Sequence, residues 1–447
     1  MQNETLFRDK PMWSALLSLA VPSVFSILIM VLYNMADLFF IGRLNDTAQI
    51  AAVSVVGPVF SILGAVATML GAGGCAVIAK ALGEGKRDYA KTCASLVSWS
   101  CLAFGLLVAV LFNVFRAPLL QFLGVTPEMQ LYAEQYLRVL ALGAPFMLIS
   151  MASAMLLRAE CAIKEGFFIN LLGTAVNMVL DPLLILAFGM GVTGAAIATV
   201  LGNLTGTIFF LVYMHRKAQI ANFNFRLAIK KPQALGHIAA LGLPNALSSL
   251  LSGLASTFAN RLLTGYGTSA LAANGAAGKV VMLISLTQMG ICMGAQPLLA
   301  YNCGAKNMPR LKEALQKLTI LTVIFGCVTT VVCTLARKTL VGLFLQNAEA
   351  AAMSEQLVFW LLLSGPVLGF FYIGSNFLQA SGNAAAATVV SVLRQGIILI
   401  PVLYAMNALL GFTGIAVAHT LSDIFSAVIA LAACIWQYKR IDTANTV

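Results

Sequence analysis

Two aspartates, Asp37 and Asp181, stand inside long apolar segments of the chain, residues 14–41 and 167–188 respectively. A carboxylate in the hydrocarbon of a membrane costs about 2.5–3.5 kcal/mol, so such a group usually faces a cavity or a partner. A buried carboxyl group can also take and release a proton near neutral pH, because burial disfavours its charged form. Two such groups in one half of a chain predict a cation site of the kind that ion-coupled transport uses.

The neighbours of these aspartates carry amide and hydroxyl groups. Asn34 lies three residues before Asp37, and Asn177 lies one helical turn before Asp181 on the same face. Thr199, in the next apolar segment, is expected at a similar depth. These oxygens suit a proton or a hard cation such as Na⁺, and the sequence leaves that choice open. The alternative is an aspartate near a helix end that reaches interfacial water.

The composition decides the class of protein. Of the 447 residues, 60% are hydrophobic and 10% are charged, with a mean hydropathy of +0.91. A soluble chain carries about 25% charged residues. Apolar runs long enough to cross a bilayer as helices recur throughout, which excludes a β-barrel and predicts an all-α polytopic membrane protein with twelve transmembrane helices. The predicted spans are 13–41, 50–80, 90–115, 131–157, 164–187, 190–214, 236–264, 270–300, 312–335, 354–381, 385–408 and 411–436.

The two halves of the chain repeat each other at a spacing of about 220 residues. Pro22 matches Pro244, and residues 191–198 match 411–418 without a gap. Tandem repeats of this kind are typical of transporters whose substrate site lies between the halves. The predicted domains are an amino-terminal six-helix bundle over 1–214, a cytoplasmic linker over 215–235 and a carboxy-terminal six-helix bundle over 236–447.

The distribution of charge predicts the orientation. Most of the 27 Lys and Arg residues lie in loops on the side that holds both termini, which predicts a cytoplasmic-membrane protein with both termini in the cytoplasm. That topology accounts for the net charge of +11 without a nucleic-acid partner. The nine cysteines contain no CxxC pair, and no HExxH or GxSxG motif occurs. We therefore expect no enzyme activity, no metal site other than Na⁺ at Asp37 and Asp181, and no cofactor besides the coupling ion.

Three further sets of residues are candidates for other roles. Pro22 and Pro244 lie within predicted helices, where proline permits a kink; such kinks serve as gates or are static. Arg394 and Asp423 are expected at similar depths in helices 11 and 12 and predict a buried ion pair, whose role we expect to be structural. Soft or aromatic side chains that suit a substrate cavity, or that simply pack in the core or face lipid, are Tyr33, Met282, Met289 and Met293.

Three motifs carry a resemblance to a known family. Residues 32–42 (LYNMADLFFIG), 177–182 (NMVLDP) and 294–306 (GAQPLLAYNCGAK) resemble helices 1, 5 and 8 of the MATE (multidrug and toxic compound extrusion) transporters, and the match covers the whole chain. The resemblance implies export of organic, often cationic, compounds in exchange for H⁺ or Na⁺, by two bundles in a V that open alternately to either side. In the prokaryotic branch it places the coupling site on Asp37, Asn177, Asp181 and Thr199.

The sequence departs from other branches of that family, which carry a carboxylate in helix 7 or the middle of helix 10. Here helix 7 has Thr257 and Asn260, and Glu355 lies near the outer end of helix 10, so a carboxy-terminal ion site is in doubt. The rival functions are a flippase for a lipid-linked precursor, an intramembrane enzyme and a channel. The expected partners are small organic substrates and the lipid bilayer, with no obligatory protein partner.

Overall fold

The computed structural model describes residues 5–43, 46–345 and 347–446; the side chains of 34–39, 42, 47 and 444–446 lie outside the description. Within these residues every regular element is helical. The first half of the chain contains α1 (Thr5–Arg8), α2 (Met12–Gly42), α3 (Thr47–Gly83), α4 (Arg87–Val114), α5 (Arg116–Phe122), α6 (Pro127–Ala159), α7 (Ile163–Asp181), a π-helical turn (Pro182–Ala187) and α8 (Gly191–Arg216).

The second half repeats this order of elements. It contains α9 (Phe225–Ala228), α10 (Ala234–Leu263), a 3₁₀ turn (Thr264–Tyr266), α11 (Thr268–Gly304), α12 (Met308–Leu335), α13 (Arg337–Gly342), α14 (Ala348–Leu362), α15 (Gly365–Ser381), α16 (Ala384–Val392), a π-helical turn (Leu393–Ile398), α17 (Leu399–Leu410) and α18 (Phe412–Thr446). Residues with a left-handed backbone conformation recur at equivalent positions of the two repeats: Gly85 (φ 75°) with Lys306 (φ 55°), and Cys161 (φ 62°) with Gly382 (φ 93°). The repeat therefore extends to the turns between helices.

The described residues supply eleven helices long and apolar enough to cross a membrane, and a bent pair that makes the twelfth span. That pair corrects one prediction: the single helix expected over 354–381 is α14 and α15, which meet at 50°. Gly365 and Pro366 begin α15. Proline lacks an N–H and disfavours the α conformation of the residue before it, so the helix breaks there.

Other helix ends also differ from the prediction. The short helices α5 and α13 lie in segments that were predicted as loops, and α9 lies inside the predicted linker. The last helix continues to Thr446, beyond the predicted end at 436. The polar residues after 436 contain no Gly or Pro to stop it, and hydropathy alone marks where a membrane span ends, not where a helix ends.

The chain forms two compact units. Unit 1 contains Phe25–Gly242, and unit 2 contains Thr5–Val24 with Leu243–Val447. The chain thus passes from one unit to the other beside Pro22 in α2 and beside Pro244 in α10. The leading segment of each repeat packs in the unit formed mainly by the other repeat. The domain limits drawn from the sequence follow the repeats and stay a prediction.

The segment before α9 packs on unit 1. Ser95 Oγ donates a hydrogen bond to the carbonyl of Asn224 (2.6 Å), and Trp99 Nε1 donates to that of Phe223 (3.1 Å). Glu160, the first residue after α6, accepts hydrogen bonds through Oε2 from the N–H groups of Ile220 (3.0 Å) and Ala221 (3.1 Å). The predicted linker is therefore held by side chains of α4 and by Glu160 over much of its length.

Candidate functional site

The end of α7 positions Asp181. Asp181 is the last residue of α7 and Pro182 begins the π-helical turn, in which the N–H of Phe188 bonds to the carbonyl of Leu183 at 2.8 Å. Proline supplies no N–H, so the regular hydrogen-bond ladder cannot continue through it. Single π turns inside α-helices occur frequently at functional sites.

Two glycines allow α8 to lie close against α7. A Cβ atom on Gly202 would lie 2.5 Å from the carbonyl oxygen of Gly173 and 3.2 Å from Cβ of Asn177. A side chain at position 202 would thus force the helices apart. Thr199 lies about one helical turn before Gly202, so the same close packing brings it to the helix that carries Asn177 and Asp181.

Asn177 and Asp181 are both buried, with 1% and 0% of their surfaces exposed. Asn177 Nδ2 donates to Asp181 Oδ1 at 3.4 Å. Among the described residues Oδ1 of Asn177 is buried and accepts no hydrogen bond. A buried carbonyl oxygen without a donor favours a bound cation or a protonated neighbour, because burying a polar oxygen without a partner costs free energy.

A second contact joins α2 to α8. The hydroxyl groups of Tyr33 and Thr199 lie 3.1 Å apart, and Thr199 is 3% exposed. Asn203 Nδ2 donates to the carbonyl of Thr199 at 2.9 Å. The structure thus places Tyr33, expected in a substrate cavity, beside a residue expected to coordinate the coupling cation. We call Tyr33, Asn177, Asp181 and Thr199 the first polar cluster.

Two predicted members of the cation site, Asn34 and Asp37, lie outside the described side chains, although their backbone is part of α2. The structure therefore describes three of the five predicted residues, Asn177, Asp181 and Thr199, all within unit 1. Tyr33 precedes Asn34 by one residue in the same helix.

A capping network ties the start of α3 to the start of α8. Asp46 caps α3 by accepting from the N–H groups of Ala48 and Gln49, and Gln49 Oε1 accepts from the N–H of Val192 at 3.0 Å. The hydrogen bond from the Gln49 side chain, with those from the backbone, lowers the pKa of Asp46. Gly191 (φ 55°) lies against Gln49, where any Cβ would clash with the side-chain amide. This network fixes the end of α8 nearest to Thr199.

Unit 2 contains a separate charged pair. Arg394 Nε donates to Asp423 Oδ1 at 2.8 Å, and the two side chains are 13% and 15% exposed. The structure therefore brings together the two residues that the sequence predicted to meet. The guanidinium lies 4.5 Å from the ring centre of Phe371 and 5.5 Å from that of Tyr372.

The other predicted residues lie on long helices. Pro22 and Pro244 lie inside the uninterrupted helices α2 and α10. Met282, Met289 and Met293 follow α11 at spacings that share one face, and each is partly buried.

Sequence reasoning did not single out two buried polar groups. Glu160 is 7% exposed, and its Oε1 accepts no hydrogen bond among the described residues. In unit 2, Gln379 Oε1 accepts from Asn245 Nδ2 (3.0 Å) and Gln296 Nε2 (3.3 Å), and both glutamines are buried. The available signal was a glutamine or glutamate within or directly after an apolar run, the pattern that identified the aspartates.

The family model described as MatE matches residues 22–183 and again 244–405, one copy in each half. The chain belongs to the MatE family. A similar protein is the multidrug export protein MepA of Staphylococcus aureus (strain MSSA476), 32% identical over 440 residues that cover 96% of each chain.

Solved structures extend the MatE comparison to the fold. The Vibrio cholerae MATE transporter VcmN in the bent form superposes with a TM-score of 0.89 at 22% identity, over 99% of each chain. A MATE structure in the straight conformation gives a TM-score of 0.93 at 22% identity, over 100% of each chain. The all-α polytopic fold with two repeats is thus the fold of MatE proteins.

Proposed function

We propose that this MatE protein exports organic, often cationic, compounds by antiport, in exchange for H⁺ or Na⁺ that enters down its gradient. The proposal assigns it to the cytoplasmic membrane with both termini in the cytoplasm. It involves no catalytic step, no cofactor besides the coupling ion and no obligatory protein or nucleic-acid partner. The similarity to a protein named multidrug export protein MepA supports the class of substrate.

The observation that carries the proposal is the buried carboxylate Asp181 within a transmembrane unit. Asp181 accepts a hydrogen bond from the amide of Asn177, and Oδ1 of that amide accepts no hydrogen bond among the described residues. A carboxylate in hydrocarbon costs several kcal/mol, so we infer that Asp181 serves a function in which its charge is neutralised when an ion binds and restored when the ion leaves. We assign the coupling ion to Asp37 and Asp181, with Asn34, Asn177 and Thr199 as orienting residues.

Both H⁺ and Na⁺ fit the chemistry of these residues. A proton on Asp181 would let the carboxyl group donate to a neighbouring oxygen. Sodium would instead take carboxylate, amide and hydroxyl oxygens as hard ligands. Coupling requires only that the ion and the drug favour different conformations, since a ligand shifts an equilibrium by its differential affinity for the two states.

The prolines supply a mechanism for such a conformational change. Pro22 removes one backbone hydrogen bond within α2, which also carries Tyr33 and Asp37, and so lowers the cost of bending that helix. We propose that ion binding at Asp37 alters the bend at Pro22, and that Pro244 acts likewise in α10. Family members solved in bent and straight forms are consistent with this role.

The test is efflux of ethidium, an organic cation, from cells or inverted vesicles that contain the protein. An imposed pH gradient is compared with an imposed sodium gradient, for the wild type, Asp37→Asn and Asp181→Asn. We expect one gradient to drive efflux in the wild type and neither gradient to do so in the two variants. The exposed Asp88, at the start of α4, provides the matched control Asp88→Asn, which should keep wild-type efflux.

Each alternative result has a distinct meaning. Wild-type efflux in Asp37→Asn or Asp181→Asn would reject the assigned coupling site. Absence of wild-type efflux with either gradient, from protein that is folded in the membrane, would reject drug antiport and favour the flippase for a lipid-linked precursor. Efflux that continues without any gradient would exclude secondary coupling.

A further inference from the structure

The segment that joins the two repeats carries two large apolar side chains on an exposed face. Phe225, which begins α9, and Ile229 lie one turn apart and are 56% and 59% exposed. The N–H of Ile229 donates to the carbonyl of Phe225 at 3.2 Å, so the helical spacing includes both residues. The half-buried Leu227 and the buried Ala228 lie on the other side of this turn. Phe225 and Ile229 therefore stand outside the core of unit 1.

The first repeat shows that the fold does not require an apolar residue at such a position. Pro11 and Pro232 correspond at a spacing of 221 residues, which pairs Ile229 with Arg8. Arg8 is exposed at the end of α1 and carries a charge. Large apolar side chains in water cost free energy, so an exposed apolar pair where the repeat accepts a charge indicates an interaction surface.

Contacts with α4 identify lipid as the partner of this surface. The ring centres of Phe225 and Trp99 lie 5.0 Å apart, and tryptophan is enriched where a membrane meets water. Leu106 and Val110 follow Trp99 by seven and eleven residues, which places them on the same face of the transmembrane helix α4, and both are exposed. A stripe of exposed apolar side chains along a transmembrane helix faces lipid. Phe225 therefore continues the lipid-facing stripe of α4 onto the linker.

The charge of the linker indicates which lipids it binds. The sequence over 215–235 contains five Lys and Arg residues and no Asp or Glu. Arg226 and Lys230 are exposed, lie one turn apart and follow directly after the two apolar residues. Lys231 Nζ lies 5.3 Å from the ring centre of Tyr89 on α4, which holds the basic end of the segment against unit 1. Basic residues beside apolar ones at a membrane surface attract anionic headgroups, while the apolar side chains enter the acyl boundary.

We propose that Trp99, Phe225, Arg226, Ile229 and Lys230, which we call the linker surface, dock on anionic phospholipids. Phe225 and Ile229 enter the boundary between headgroups and acyl chains, and Arg226 and Lys230 bind headgroup phosphates. Docking holds the linker at the membrane beside α4. The choice of the cytoplasmic leaflet rests on the proposed orientation of the chain, whereas lipid binding by these residues does not.

The test measures tryptophan fluorescence of the purified full-length variant Phe225→Trp in vesicles made of equal parts phosphatidylcholine and phosphatidylglycerol. One lipid at a time carries bromine on its acyl chains, which quenches a tryptophan that it touches. The signal is the fluorescence that the new tryptophan adds to that of the wild type. We expect brominated phosphatidylglycerol to quench this signal at least about twofold more strongly than brominated phosphatidylcholine. Absence of quenching by either lipid would overturn the proposal and would leave Phe225 and Ile229 to a protein partner.

Charge variants in the same background test the role of the basic residues. Arg226→Gln/Lys230→Gln should make quenching by the two lipids equal, whereas Lys306→Gln/Lys312→Gln, at exposed basic positions of unit 2, should keep the preference. A preference that survives the first double variant, or is lost in both, would overturn the assignment of headgroup binding to Arg226 and Lys230. Elution of each variant as a single symmetric peak in size-exclusion chromatography establishes that it is folded. Because the lipid composition of both leaflets is the same, the result decides lipid binding even if the proposed orientation is wrong.

Discussion

The first polar cluster and the Arg394–Asp423 pair occupy corresponding helices of the repeat, but the carboxylates in them have different partners. Thr199 and Asn203 on α8 correspond to His419 and Asp423 on α18, about 220 residues later. In unit 1 the carboxylate of Asp181 lies on α7 and accepts a hydrogen bond from the neutral amide of Asn177. In unit 2 the carboxylate lies on α18 and binds the guanidinium of Arg394.

Under the proposed antiport, the charge of Asp181 is neutralised by the coupling ion, whereas the charge of Asp423 is balanced by a fixed guanidinium. A fixed guanidinium next to a carboxylate offsets much of the cost of burying it, so Asp423 needs no mobile cation. In the proposed antiport, H⁺ or Na⁺ gives Asp181 the same benefit and can leave again.

The largest effects are expected from removing each carboxylate in turn. Asp423→Asn leaves Arg394 buried without its counter-ion, which costs about 3–5 kcal/mol. We expect a strong loss of thermal stability in detergent. Asp181→Asn keeps the size of the side chain and removes its charge, so we expect it to abolish efflux and leave the Tm near that of the wild type. Thermal unfolding and ethidium efflux of the two variants measure both effects.

A double variant distinguishes lost pairing from general disruption. Replacing a buried ion pair by apolar residues of similar size is often neutral or stabilising by about 1–4 kcal/mol, so Arg394→Met/Asp423→Leu should regain the stability that Asp423→Asn loses. If the double variant is as unstable as the single one, charge pairing is not what Asp423 contributes. If Asp181→Asn also unfolds, the contrast between Asp181 and Asp423 fails.

The packing of α7 on α8 provides the next prediction. Gly202→Ala places a methyl group against the backbone oxygen of Gly173, and overpacking of this kind costs about 1–3 kcal/mol. We expect lower thermal stability together with weaker efflux, because the new methyl group also presses on Asn177, the neighbour of Asp181. The control is Gly253→Ala on α10, where a Cβ meets nothing within 4 Å. Equal behaviour of the two variants would show that the close approach is unimportant.

The sequence predicted the helices and the repeat, because both follow from hydropathy and regular spacing. It did not predict the contact of Tyr33 with Thr199, which depends on how α2 lies against α8. Side-chain contacts between distant segments follow from packing angles, and no local pattern encodes those angles.

Neither of the two π-helical turns could be predicted from the sequence. Pro182 signalled an interruption, but Leu393–Ile398 contains no proline, and the turn is accompanied by contacts of Arg394 with Ser422 and Asp423 on α18. The ion pair itself could be predicted because two opposite charges in one apolar environment rarely remain apart. The small cavity beside it, lined in part by Ser285 and Ser364, could not be predicted, since a void arises from the shapes of many side chains together.

A smaller effect is expected where a single hydroxyl is removed from the first polar cluster. Tyr33→Phe deletes the hydrogen bond to Thr199, and a bond of this kind contributes about 0.5–1.5 kcal/mol. We expect a modest reduction in efflux with stability changed by no more than that amount. Tyr404→Phe, at a half-exposed position of α17, is the control. Loss of efflux as complete as that of Asp181→Asn would assign Tyr33 a direct role in ion binding.

The smallest effect concerns Glu160, a buried carboxylate outside the membrane spans. Burial raises the pKa of Glu160 above its usual range, and the hydrogen bonds from Ala221, Tyr213 and Ile220 only partly oppose this. The folded protein thus keeps this proton to a higher pH than the unfolded chain, whose glutamates titrate near about 4.3. Below about pH 4.3 both states are protonated; as the pH rises towards the folded value, the folded state binds more protons and stability declines.

Glu160→Gln removes that proton exchange and keeps an oxygen that can accept from the linker. We expect its Tm to decline less than that of the wild type as pH rises from about 4.3. The corresponding difference in the free energy of unfolding is about 1 kcal/mol or less. Glu128→Gln, exposed in the first turn of the same helix α6, should follow the wild-type curve. A steeper decline in Glu160→Gln would mean that the charged carboxylate stabilises the linker. Glu160 would then resemble Asp423, whose charge is balanced by a fixed neighbouring group. It would differ from Asp181, whose charge we propose is balanced by the coupling ion.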